Sequence, residues 1–122
     1  NASGGFTKAL GEQARGVVVT QVFPSERSIN YPVIKEAMGL AKAKGIAELT
    51  PAMVEGFINA KVLVEGLRRA SPKPDRARML AALEGMRKFD LGGLELSYSA
   101  TDHSGLAFTD LSIVGSDGRF KR

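Results

Sequence analysis

The sequence predicts a mixed α/β fold, on three observations. One β-branched apolar run fills residues 16–23, three stretches with helical spacing follow it, and beyond Phe89 the apolar period shortens to two. The chain has 122 residues, 43% hydrophobic and 25% charged, which is the size and composition of one soluble globular domain and not of a disordered segment. Only the first strand reads as central to a parallel sheet. A doubly wound sheet needs several such strands, so the order βααα followed by short strands points to a piece of a larger fold.

The elements follow in chain order. The sequence starts at Asn1 and not Met, and Asn1-Ala2 resembles the scar of a cleaved tag. A processed or truncated chain is expected, and these two residues are set aside. Residues 6–12 read as the end of a helix and residues 13–16 as a loop. Residues 16–23 read as a strand buried on both faces, and Pro24, which cannot donate to a ladder, ends it. Residues 24–32 are polar and irregular between two prolines. A helix over residues 33–44 places Ile34, Met38 and Ala41 inward and Lys35, Lys42 and Lys44 outward, with Gly45 just past its end. Thr50 caps the next helix, and Pro51 follows it, where a missing amide hydrogen costs nothing. That helix runs to Ala70 with a stripe of Met53, Phe57, Ala60, Val64 and Leu67, widened by Val54, Ile58 and Val62. So broad a stripe predicts burial on more than one side. A third helix near residues 75–86 presents Ala77, Leu80, Leu83 and Met86. Leu94, Leu96 and Tyr98 then alternate with polar residues, Leu111 and Ile113 with Ser112 and Val114, and Ser116-Asp117-Gly118 makes a turn.

Residue chemistry excludes more than it supports. Cysteine is absent, which removes disulfides and thiolate chemistry. The net charge of +4 permits an anionic partner, but the bases are scattered. The sharpest cluster, Arg76-Ala77-Arg78 near Lys73, reads as a solvated helix end, so a nucleic-acid-binding domain is the disfavoured alternative. The one histidine, His103, lies in a polar turn without oxyanion donors and reads as an exposed turn residue. No spacing of His or carboxylates suits a metal. Glu65, four residues after Lys61, reads as a surface ion pair. Glu55 reads either as an acid favoured by the helix dipole or as a functional group, beside Gly56, whose missing side chain permits close approach. Leu91-Gly92-Gly93 lacks a phosphate-loop continuation. These residues describe a non-enzymatic binding fragment with no catalytic residue, cofactor or metal.

Several segments then fall into a recognisable order: Gly16-Val17-Val18-Val19-Thr20-Gln21-Val22-Phe23-Pro24, Tyr31-Pro32-Val33-Ile34-Lys35-Glu36, and Val54-Glu55-Gly56-Phe57-Ile58-Asn59-Ala60 onward to Ala70. Leu80-Ala81-Ala82-Leu83-Glu84, Gly92-Gly93, His103-Ser104-Gly105 and Asp117-Gly118-Arg119-Phe120 follow. Together they resemble the C-terminal portion of the branched-chain amino-acid (Leu/Ile/Val) substrate-binding proteins of ABC importers, over nearly the whole chain from Phe6. Order and spacing carry the resemblance; no single motif does.

The resemblance implies a partial type I periplasmic binding fold: a buried strand, three helices and short C-terminal strands. In such proteins two lobes clamp a small ligand and are joined by three crossovers. Residues 1–22 would belong to the second lobe, residues 23–107 to the first-lobe helical segment and residues 108–122 to the second lobe again, with hinges near Phe23-Pro24 and residues 108–110. It implies a periplasmic protein that captures an amino acid or similar small carboxylate and delivers it to a membrane permease by hinge closure. A ligand sensor built on the same fold is the alternative. Gln21, Phe23, Met53 and Glu55 are the candidate ligand residues. Phe23 and Met53 would pack on the apolar part, and Gln21 or Glu55 would bond an amino or hydroxyl group. The groups that usually hold the α-carboxylate would lie outside this chain, so the fragment alone is expected to bind weakly or not at all. Its uncovered apolar surface is expected to be buried in an intertwined homo-oligomer.

Overall fold

The computed structural model describes residues 4–121, so Asn1-Ala2 lies outside the described residues. Helix α1 (Gly4–Leu10) passes into a 3-10 turn (Gly11–Ala14), which takes up the first half of the expected loop. Strand β1 (Val18–Gln21) follows, then α2 (Pro32–Ala43), α3 (Pro51–Ala70) and α4 (Arg76–Glu84). Short strands β2 (Phe89–Asp90) and β3 (Glu95–Leu96) form a hairpin, and β4 (Asp110–Val114) and β5 (Phe120–Lys121) close the chain.

The sheet order is β1-β4-β5, antiparallel throughout, with Val18 opposite Ile113 and Gln21 opposite Asp110. This corrects the expectation of a strand buried on both faces of a parallel sheet. β1 is a four-residue edge strand that buries Val19 and Gln21 and exposes Val18 and Thr20. β4 likewise turns Ser112 and Val114 inward and leaves Leu111 and Ile113 exposed. One face of the sheet packs on Ala14, Leu10 and Phe120, while the other is apolar and open.

The helical part has its own core, formed by Val33, Ile34, Val54, Ile58, Val62, Met86, Leu91, Leu94 and Leu96. Two helix starts and one stop obey local chemistry. The Thr50 hydroxyl accepts the Met53 amide at 3.2 Å, and the Asp75 carboxylate accepts the Arg78 amide at 2.8 Å. α2 ends in a Schellman arrangement: Gly45, at φ +72°, donates to Lys42 O, and Ile46 donates to Ala41 O.

The faces differ from the periodicity reading. On α3 the β-branched residues Val54, Ile58 and Val62 enter the core, whereas Met53, Ala60, Val64 and Leu67 are exposed. Both stripes are apolar, and only one finds a partner among the described residues. On α2, Ala37 is buried and Met38 is exposed; on α4, Met79 and Leu83 face inward and Ala77 and Leu80 outward. Gly66 explains the close α3–α4 packing, because a Cβ there would stand 2.6 Å from Met79 Cε.

The β2–β3 turn ties the hairpin to α2. Asp90 Oδ1 accepts the amides of Gly92 and Gly93 at 2.8 and 2.7 Å, and these bonds hold its carboxyl below the usual range. Gly92 O in turn accepts the Val33 amide at 3.0 Å.

Candidate functional site

The chain leaves the sheet at Val22-Phe23 and returns to it through Phe108-Thr109. The two passages lie near each other because Gln21 and Asp110 are paired. Tyr31 packs edge-on against Phe108, with ring centroids 6.1 Å apart and planes at 89°, which fixes the return passage against the start of α2. The first turns of α3 lie alongside. Between them is a concavity of about 400 Å³ whose wall includes Phe23, Glu55, Asn59, Tyr98, Ser104 and Phe108. Three rings and neighbouring aliphatic side chains share its wall about evenly with polar groups, among them a carboxylate, an amide and hydroxyls. Such a wall can meet both the apolar and the polar part of a small solute.

Of the four expected ligand residues, the structure brings Phe23 and Glu55 into this concavity. Glu55 is half-buried, and among the described residues no side-chain hydrogen bond or ion pair engages it. It also borders a wider groove of about 940 Å³ whose other walls carry Lys8, Glu12, Arg27 and Arg119. A third groove of about 780 Å³ continues past Lys42 and Glu48, which lies 3.9 Å from Arg119. Gln21 is buried beneath the strand end and meets Phe23 only in a cleft of about 10 Å³, too small to admit a solute. Met53 is 40% exposed and lines none of these hollows. Gly56 is exposed, with nothing within 4 Å of an added Cβ.

Asn59, Tyr98 and Ser104 were not singled out from the sequence. Asn59 lies on α3, while Tyr98 and Ser104 share the connection between β3 and β4; only Asn59, four residues after Glu55 on the same helix face, carried a local signal. His103 is exposed, and its Nε2 stands 3.1 Å from Glu84 Oε1, which ties the turn to α4. Glu65 departs from its surface reading. It is buried and bonded at 2.7–2.8 Å by Arg68 and Arg69, whose donors pull its carboxyl down to about 2, while Lys61 pairs with Glu36 instead.

Among the described residues no group of three or more His, Asp or Glu is placed to hold a metal. No described helix is long and apolar enough to cross a membrane.

Comparison with known proteins places this geometry. Residues 3–118 match the periplasmic binding protein family. No curated protein matches. A substrate-binding periplasmic protein from Ralstonia solanacearum is 34% identical, with a TM-score of 0.84 over 97% of this chain and 35% of its own. An extracellular ligand-binding receptor from Verminephrobacter eiseniae ef01-2 is 27% identical, with a TM-score of 0.83 over 98% of this chain and 35% of its own. A possible leucine/isoleucine/valine-binding protein from Rhodopirellula baltica SH 1 is 28% identical, with a TM-score of 0.79 over 96% and 32%. The chain thus spans about a third of the length of these solved proteins, and its α/β arrangement is that of part of a type I periplasmic binding fold. The chain belongs to the periplasmic binding protein family.

Proposed function

We propose that this chain is the C-terminal portion of a periplasmic solute-binding protein that captures an amino acid or similar small carboxylate for an ABC importer. The observation that carries the reading is the 400 Å³ concavity between the two strand-to-helix passages, with Phe23 and an unpaired Glu55 on its wall. In this reading residues 1–22 and 108–122 form part of one lobe and residues 23–107 part of the other. Ligand contacts to both favour the closed state, and the passages at Phe23-Pro24 and residues 108–110 absorb the motion. Phe23 packs on the apolar part of the ligand, and Glu55 bonds its amino or hydroxyl group. Gln21 supports Phe23 from below, and Met53 contributes only when the lobes close. The possible Leu/Ile/Val-binding protein among the similar structures supports a branched-chain ligand.

Calorimetry of a full-length protein carrying this chain, against amino acids and aromatic acids, tests the reading. Binding of at least one of them is expected. Phe23→Ala and Glu55→Gln are each expected to weaken it by about tenfold, the worth of one lost contact of about 1.4 kcal/mol. Binding by the full protein that neither substitution changes would remove these residues from the site, and no binding across the panel would count against solute capture. The 122-residue chain alone is expected to bind far more weakly.

A further inference from the structure

The bases are spread along the chain, but the excess of base over acid falls in one stretch of the molecule. Of the 17 Lys and Arg, seven lie within residues 68–88, which hold only Asp75 and Glu84 of the 13 acids; the remainder of the chain has one more acid than base. Five of these cations gather where α3 ends and α4 begins: Arg68, Arg69, Lys73, Arg76 and Arg78, all exposed. Glu65 engages the first two and Asp75 lies 3.7 Å from Arg78. Among the described residues no carboxylate pairs with Lys73 or Arg76, nor with Arg87 and Lys88 beyond the other end of α4.

Arg76 and Arg78 occupy the first turn of α4, where the positive end of the helix dipole disfavours a cation. Arg78 is held there by Asp75 and by its bond to the Lys73 carbonyl, whereas no described partner accounts for Arg76. α4 buries none of its residues and turns Ala77, Leu80 and Ala81 outward beside these arginines. None of the hollows described above is lined by any residue of this stretch, so it offers cations around an apolar ridge and no cradle. A small anion needs converging donors. Cations at both ends of a helix about 14 Å long, with the apolar ridge between them, fit a flat and yielding polyanion instead.

We infer that the α3–α4 turn and the outer face of α4 form a docking surface for an anionic phospholipid bilayer. Headgroup phosphates meet Lys73, Arg76 and Arg78, and Leu80 settles among them. This surface is remote in sequence from Phe23 and Glu55 and does not depend on the solute reading.

Co-sedimentation of the 122-residue chain with vesicles tests it. Binding is expected to vesicles containing phosphatidylglycerol, weakening as salt rises, and not to phosphatidylcholine alone. The double substitution R76E/R78E is expected to reduce it by about thirtyfold, roughly fivefold for each cation removed. K42E/K44E, the same charge change at the end of α2, should reduce it by less than about threefold. Glutamates at the start of α4 suit the helix dipole, so the first variant keeps its fold, checked by circular dichroism. Equal losses in the two variants, or no binding to phosphatidylglycerol vesicles, would overturn the inference. Retention on polyglutamate without retention on vesicles would also overturn it, in favour of an acidic protein surface.

Discussion

Glu65 shows how far a single charge can depart from its sequence context. Its spacing from Lys61 fits a surface pair, yet α3 rotates it inward, where Arg68 donates through Nε and Nη2 and Arg69 through Nε. Arg69 also stacks over Phe89, 5.5 Å from the ring centroid, so the ion cluster is bound to the β2–β3 hairpin. The carboxyl drops from the ordinary 4.5 to about 2 in the folded chain, with the Arg68 hydrogen bonds the leading cause. A depressed folded pKa contributes stability that is complete above about 4.5 and lost as pH falls toward about 2. Thermal melts across that window should show this loss, and Glu65→Gln should flatten the slope while costing about 2 kcal/mol at neutral pH. An unchanged slope in the variant would assign the acid sensitivity to other carboxylates. Site residues were only partly legible at this scale. Phe23, Glu55, Asn59 and Ser104 lie within recognisable segments, but only tertiary structure brings them and Tyr98 to one wall.

At the scale of elements, helix ends were readable because their chemistry is local. Thr50-Pro51, Asp75 and Gly45 each satisfy backbone groups within four residues. Thr50→Ala should cost about 1 kcal/mol in denaturant unfolding. Helix faces were not readable, since α3 has two apolar stripes and periodicity cannot say which one meets a partner. Strand pairing failed for a similar reason: a β-branched run reports burial in the fold that bred it, whereas the β1–β4 register depends on a segment about ninety residues away. Two glycines separate backbone need from tolerance. Gly92 has φ +109° and stands where a Cβ would lie 2.7 Å from the Val33 amide nitrogen, so Gly92→Ala should cost about 3 kcal/mol and loosen α2 from the hairpin. Gly39, inside α2 with open space around it, should gain about 1 kcal/mol as Ala. Unfolding curves of the two variants that shift in the same direction would contradict this placement.

At the scale of the molecule, six of the exposed apolar residues form two faces. Val18, Leu111 and Ile113 share the open side of the sheet; Leu63, Val64 and Leu67 share the outer side of α3. Apart from Leu63, these residues fall in the apolar patterns read from the sequence, and among the described residues nothing covers either face. Solved proteins about three times as long superpose on 96–98% of it, so this fold is continued in them by further elements. We propose that, when the 122-residue chain is alone, other copies of itself cover these faces. Light scattering of the purified chain tests this directly. An assembly of at least two 13.0 kDa copies is the predicted result, and a well-folded 13.0 kDa monomer would contradict it.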